Sequence, residues 1–287
     1  MYKLEFFLLQ IIQFIFSILP RFITLKAGTL IGAFLYFNKA YMKTVQGNMR
    51  YCGYWTDEEV NAIIRKLYLN MGRYISDFLR TNKNSALYRF HNFEIVEKLI
   101  SKDKGFIALL AHIGNWEYLA QLFGKRFTGL HVIAKPMKNR YVDNWLADKR
   151  NKTGVTTIYT QQALRKMFEV INNKGIIAIL IDQHAGAHGT MIPFLGKDAS
   201  TVRTVAGIVH KTRCSVLPVF AIMQKDGTYD IFMSEAELPD LNDKTNDKCI
   251  EIIQKQHNEI ISSWIRQYPE HYFGWFHKRY RGIISYK

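Results

Sequence analysis

From Thr56 onward apolar residues return every three or four positions: Val60, Ile63, Ile64, Leu67, Tyr68 and Met71 fall on one side of a helix. Thr56 followed by Glu59 is the sequence of a capping box, so the helix is expected to start there. Further on, the pattern changes to short continuous apolar runs: Phe106 to Ala111, Leu130 to Ala134, Val155 to Tyr159, Ile176 to Ile181 and Val216 to Ala221. Amphipathic stretches separate them, as between Tyr159 and Ile176, where Leu164, Met167, Phe168 and Ile171 recur at helical spacing before Lys174-Gly175 closes the segment. Strands alternating with helices predict an α/β fold with a mostly parallel central sheet flanked by helices. A last helix is expected from about Asp243 to Tyr268, with Ile250, Ile253, His257, Ile260 and Trp264 on one side and Pro269 ending it.

The amino terminus follows neither pattern. Phe6 to Leu19 is apolar except for Gln10, Gln13 and Ser17, and as a helix it is about 21 Å long, short of the roughly 30 Å hydrocarbon core of a bilayer. Pro20, Arg21 and Phe22 follow where a signal peptide would carry a small-residue cleavage site, so cleavage is not expected. A second apolar stretch, Phe22 to Phe37, contains Lys26 and the small residues Ala27, Gly28, Gly32 and Ala33, and Lys39, Lys43 and Arg50 come after it. The pair reads as a helical hairpin or one bent helix at the surface of an anionic membrane leaflet, with a helix pair packed into the protein as the alternative. The expected organisation is residues 1–40 as apolar, membrane-associating helices and residues 41–287 as a single α/β domain.

Composition narrows the function classes. Lys plus Arg number 39 against 24 Asp plus Glu, a net charge of +15 that attracts phosphates, acidic lipid surfaces or an acidic carrier protein. Cys52, Cys214 and Cys249 are too sparse for a disulfide framework or a structural zinc site. Asp182, His184 and His188 are the nearest approach to a metal set, but Gly186 and Gly189 oppose the helix that would align the histidines, so no metal is expected. The closing Trp275, Phe276, His277, Lys278, Arg279, Tyr280 and Arg281 would suit stacking on single-stranded nucleic acid or contact with lipid headgroups, and no nucleic-acid motif favours the former.

In a parallel sheet, functional groups gather beyond the carboxyl ends of the strands. Two apolar runs end in ionisable residues there: the first leads into His112-Ile113-Gly114-Asn115-Trp116-Glu117 and the second into Asp182-Gln183-His184. Gly114 permits a tight turn that would bring Glu117, in the first turn of the next helix, towards His112. Glu117 is then expected to hold the imidazole in one tautomer and leave its other nitrogen as a base. The same spacing also serves as a plain structural hydrogen bond. No Gly-x-Ser-x-Gly elbow and no cysteine lies nearby, so the hydroxyl in any transfer reaction should belong to a substrate.

The His112 to Glu117 segment resembles the His-x4-Asp/Glu motif of the bacterial lipid A biosynthesis (late, or secondary) acyltransferases, within the wider glycerol-phosphate acyltransferase superfamily. Other segments resemble that family in the same order. They are LPRFITLKAGTLIGAFLYF near the start, VQGNMRYCGYWTDEE before the capped helix, Lys135-Pro136, Arg150, DQHAGAHGTMIPFLGKDASTVRTVAGI and the closing WFHKRY. The resemblance implies transfer of an acyl group from a thioester, on acyl carrier protein or coenzyme A, to a hydroxyl of a membrane lipid, a lipid A precursor foremost. It implies no cofactor beyond the thioester co-substrate. His112 would be the general base and Glu117 its stabiliser, with Asn115, Trp116, Arg150, Asp182 and Gln183 around the substrates. Arg150 would contact an oxyanion or phosphate, and Asp182 would orient a basic group or loop. The implied location is the cytoplasmic face of a bacterial inner membrane, in lipopolysaccharide biosynthesis. A non-catalytic protein that binds anionic lipid would share the charge and the apolar start without needing His112.

Overall fold

The computed structural model describes residues 1–80, 87–102, 104–242 and 244–286. Four helices come first: α1 (Tyr2–Ile18), α2 (Arg21–Phe37), α3 (Met42–Cys52) and α4 (Asp57–Leu79). Then follow β1 (Tyr88–His91), α5 (Phe93–Ser101), β2 (Phe106–Leu110), α6 (Trp116–Arg126), β3 (Leu130–Ala134), α7 (Arg140–Asn151), β4 (Val155–Tyr159), α8 (Ala163–Asn172) and β5 (Ile176–Leu180). A hairpin of β6 (Thr190–Phe194) and β7 (Lys197–Thr201), then α9 (Thr204–Thr212), β8 (Val216–Met223), β9 (Tyr229–Met233) and α10 (Asn246–Gln267) complete the chain. The five apolar runs are β2, β3, β4, β5 and β8. The start expected for the last helix, Asp243, lies outside the described residues, and α10 begins on the cap of Thr245, whose hydroxyl accepts from the Lys248 amide.

Seven strands form one sheet in the order β1-β9-β8-β2-β5-β3-β4, parallel except where β9 runs against β8. Its middle is the most apolar part of the chain, because β2 and β8 are buried at every position. The β strands unforeseen in the sequence are those without a continuous apolar run. β6 and β7 are joined by Leu195-Gly196, both at positive φ, which is the two-residue turn whose twist suits a hairpin. β8 and β9 are joined through Asp226 and Gly227, with Gly227 also at positive φ.

The capping box forms as read: the Thr56 hydroxyl accepts from the Glu59 amide while the Glu59 carboxylate accepts from the Thr56 amide. The helix it starts, α4, is the platform for the amino terminus. Gly28 and Gly32 of α2 lie against Gly72 and the Tyr68 carbonyl of α4, so closely that a methyl group at Gly72 would collide with the Gly28 carbonyl oxygen. Gly72→Ala is therefore expected to cost about 1–3 kcal/mol through overpacking. Gly207→Ala in α9, where a methyl meets nothing within 4 Å, should instead gain about 0.5–1 kcal/mol. Chemical denaturation of the two variants checks both signs.

Polar contacts lock the crossing of α2 on α4. Arg21 grips Asp77 with Nε and Nη2 at 2.9 and 2.6 Å and also donates to the Gly227 carbonyl. Helix α1 buries Phe16, half-buries Phe6, Leu9 and Gln13, and joins α7 through Gln13, which accepts from Trp145, and Glu5, which accepts from Asn139. Its other face is apolar and exposed: Leu4, Phe7, Leu8, Ile11, Ile15 and Ile18 form a stripe at helical spacing, continued on α2 by Phe22, Leu30 and Phe34. Among the described residues no helix is long and apolar enough to cross a membrane.

Candidate active site

Strand register puts the central pair together. Leu110 of β2 lies opposite Leu180 of β5, so His112 and Asp182, each two residues beyond, leave the sheet side by side. His112 Nδ1 lies 2.9 Å from Asp182 Oδ1, and the His112 backbone amide donates to Asp182 Oδ2 at 3.1 Å. Asp182 is fully buried. Burial alone would push its pKa up, but the charge and hydrogen bonds of His112 outweigh this and hold it below the usual carboxylate range. Burial would likewise lower the pKa of His112, and the Asp182 carboxylate, with a smaller contribution from Glu117, raises it instead. A carboxylate on Nδ1 fixes the proton there, so Nε2 is the free base.

The hydrogen bond expected between His112 and Glu117 is therefore made by Asp182. Glu117 lies one residue into α6 and turns towards α7, where Arg150 clamps it with Nη2 at 2.5 Å and Nε at 3.2 Å. Both partners are largely buried, so Glu117 reaches His112 only through its charge. Lys149, beside this pair, is packed over Phe78 and Trp145, and burial brings its pKa down to about 7.

The loop that carries His112 is held from two sides. Gly114, at φ +64, donates to the His271 carbonyl and is pressed so close to Ala221 of β8 that a side chain would collide with the Ala221 carbonyl oxygen. Asn115 donates its backbone amide to that same carbonyl at 3.0 Å, and Phe273 donates to the His112 carbonyl at 2.7 Å. The Asn115 side chain is buried: its oxygen caps α6 by accepting from Tyr118, and its nitrogen donates to the Tyr229 hydroxyl. It anchors the loop and also contributes to the wall of the cavity beside His112. Trp116 stands edge-on to the His112 ring at 4.8 Å.

Gln183 is exposed beside His112, with Nε2 at 3.3 Å from His112 Nε2 and 3.0 Å from His277 Nε2. The structure thus gathers five of the other expected residues, Trp116, Glu117, Arg150, Asp182 and Gln183, around the His112 imidazole, with Asn115 in the loop that carries it. It adds two that the reading of the residues assigned no role here, His277 and Arg279. The segment Trp275 to Arg281 is not a free aromatic and basic tail, because Trp275, Arg279 and Tyr280 are buried. The Arg279 guanidinium donates to the carbonyls of Gln183 and Ser200 and to the Thr201 hydroxyl, binding the loop after β5 to β7. His184 and His188 stand on a loop with a short 3-10 turn, and among the described residues no three His, Cys, Asp or Glu side chains converge to hold a metal ion.

Two cavities meet at His112. One, of 820 Å³, runs between α2, α4 and α7 and is walled by Leu35, Met71, Ile75, Phe78, Leu146 and Phe276. Ile75 and Met137 of its lining are exposed, so it opens outward. The other, of 510 Å³, passes over the ends of β3 and β5 and brings Lys135, Arg150, Thr160 and His184 to its wall. Both share His112, Trp116, Glu117 and Gln183. A neutral imidazole at the junction of an apolar cavity and a second one that carries Lys135 and Arg150 can take a proton from a hydroxyl presented beside an acyl chain.

No curated protein matches the sequence. The sequence does match the family model for bacterial lipid A biosynthesis acyltransferases over residues 2–282, nearly the whole chain. With that match on a fold and a site suited to acyl transfer, the chain belongs to the bacterial lipid A biosynthesis acyltransferase family.

Proposed function

We propose that the chain is a late acyltransferase that moves a fatty acyl group from a thioester, on acyl carrier protein or coenzyme A, to a hydroxyl of a lipid A precursor. The observation that carries this reading is the His112–Asp182 pair at the end of an apolar cavity large enough for an acyl chain. His112 Nε2 takes the acceptor proton as the hydroxyl oxygen attacks the thioester carbon. The carbonyl electrons move to oxygen, the C–S bond then breaks, and the thiolate leaves with the proton that His112 returns. Asp182 keeps the imidazole oriented and stabilises its charged form, and Glu117 adds a more distant negative charge while ordering Arg150. No protein nucleophile is required. Cys52, Cys214 and Cys249 are buried and line neither cavity.

The proposed location is the cytoplasmic surface of the inner membrane. The exposed apolar stripe of α1 and α2 would rest among the acyl chains, and the net charge of +15 would favour an anionic leaflet. Truncating residues 1–20 is expected to turn a protein that only detergent releases from membranes into one that salt extracts, since salt screens charges beyond about 10 Å at 0.1 M and leaves apolar insertion intact. A truncated protein that still resists salt would place the anchor elsewhere. The function itself is tested by mass spectrometry of lipids from cells with and without the chain. The proposal requires a lipid A species one acyl chain lighter in the cells that lack it, and unchanged lipid A profiles would remove it.

A further inference from the structure

The inference that follows rests on the proposed acyl transfer. A hydroxyl attacking a thioester leaves negative charge on the carbonyl oxygen, and removing one donor to such an oxygen costs about 100- to 1,000-fold in rate. Most donors near His112 are already engaged. The amides of His112, Gly114 and Asn115 go to Asp182, His271 and Ala221. Arg150 gives Nε and Nη2 to Glu117, and Arg279 binds the Gln183 carbonyl, the Ser200 carbonyl and Thr201.

Gln183 differs from all of these. Its NH2 group lies between two imidazole nitrogens, His112 Nε2 at 3.3 Å and His277 Nε2 at 3.0 Å, and its two protons satisfy both when both rings are neutral. Partial desolvation and the neighbouring His112 lower the pKa of His277, which favours the neutral ring, and its Nδ1–H tautomer presents Nε2 to the amide as an acceptor. Its backbone is fixed by Asn48, which donates to the carbonyls of Trp275 and His277. The backbone of Gln183 is fixed by Arg279. The acceptor hydroxyl must take the place on His112 Nε2 that the amide fills at rest. One N–H is then released within hydrogen-bond reach of that place while the other stays on His277.

We propose that the Gln183 side chain, held by His277, is the donor that stabilises the oxyanion of the thioester carbonyl. Gln183 is thus a catalytic residue and His277 its positioning residue. The proton still passes from hydroxyl to His112 Nε2 and on to the departing thiolate, and the Gln183 N–H is shared with the carbonyl oxygen without being transferred.

The test is steady-state transfer from a lauroyl thioester of acyl carrier protein to a detergent-dispersed lipid A precursor, with the full chain and its variants. Gln183→Ala is expected to lose about 100- to 1,000-fold in kcat with the donor KM nearly unchanged, the mark of a contact made only in the transition state. His277→Ala should lower kcat in the parent but cost nothing further in Gln183→Ala, because it acts through the amide. Near-normal kcat in Gln183→Ala, as expected if the first amides of α6 carry the oxyanion alone, overturns the proposal. So does an equal cost of His277→Ala in both backgrounds. A second readout needs no turnover: in protein labelled with 15N-histidine, Gln183→Ala should displace the Nε2 resonances of both His112 and His277, and unmoved resonances overturn the bridge. An inactive His112→Ala beside a fully active Gln183→Ala removes this inference alone, whereas parent-like turnover by a folded His112→Ala protein removes the acyl-transfer reading beneath it.

Discussion

His112→Ala is expected to leave a folded protein that transfers acyl groups about 100- to 10,000-fold more slowly, the range a general base contributes. The fold should survive at a lower melting temperature, because His112 lies beyond the end of β2 while the buried Asp182 carboxylate keeps only the backbone amide of its contacts with His112. The loop around it is held by backbone contacts at Gly114, Asn115 and Phe273 that the substitution leaves in place. What disappears is Nε2, the proposed base, from a residue that lines both cavities. Circular dichroism and thermal melting establish the fold, and initial rates read the loss. Near-parent turnover from a folded variant would mean that the proton goes elsewhere.

Asp182→Asn is expected to be as damaging, on the order of 10,000-fold where the same exchange in a catalytic triad presents the wrong tautomer. An amide beside Nδ1 can donate as well as accept, and a donated hydrogen bond at Nδ1 moves the imidazole proton to Nε2, where the base is needed. The pH dependence gives a second, independent sign. His112 works when neutral, so activity falls as pH drops through its pKa, which the Asp182 carboxylate raises against the lowering effect of burial. Removing that carboxylate should move the acidic limb of the residual activity to lower pH. Glu117→Gln should move the limb the same way but less, with a rate loss of about tenfold or less, since one pKa unit makes the imidazole a tenfold weaker base and Glu117 touches Arg150 rather than the imidazole. If Glu117→Gln proved the more damaging change, the direct pairing of His112 with Glu117 would be restored and Asp182 returned to a structural role.

The contrast between Asp182 and Glu117 shows where sequence reading stops. Each chemical group was visible as a polar residue at the end of an apolar run, because a strand buried on both faces must be apolar until it leaves the sheet. Which ends are neighbours is a matter of strand order. Asp182 is 70 positions from His112 and becomes adjacent only because β5 inserts between β2 and β3. Glu117 is near in sequence, but a helix starting at Trp116 swings it onto α7. The strands that were missed, β1, β6, β7 and β9, are short and include exposed or half-buried positions, so they carry no continuous apolar run. His277 and Arg279 sit in an irregular segment whose mixture of rings and cations reads as a surface tail. Arg279 is buried against Thr201 and the His277 backbone is held by Asn48, both more than 70 residues away. The signal that could have found them was the closing WFHKRY block, which follows the other family-like segments in order.

The proposed activity is one event, formation of a lipid ester at the expense of a thioester with His112 as base. The most direct measurement incubates the purified protein with an isotopically labelled acyl thioester and a lipid A precursor, following free thiol and the mass of the lipid together. The predicted result is one thiol released for each labelled chain found in ester linkage on the lipid, with neither product formed at a comparable rate by His112→Ala. A lipid that is bound but never gains the label, or a His112→Ala protein that forms the same ester at the parent's rate, would contradict it.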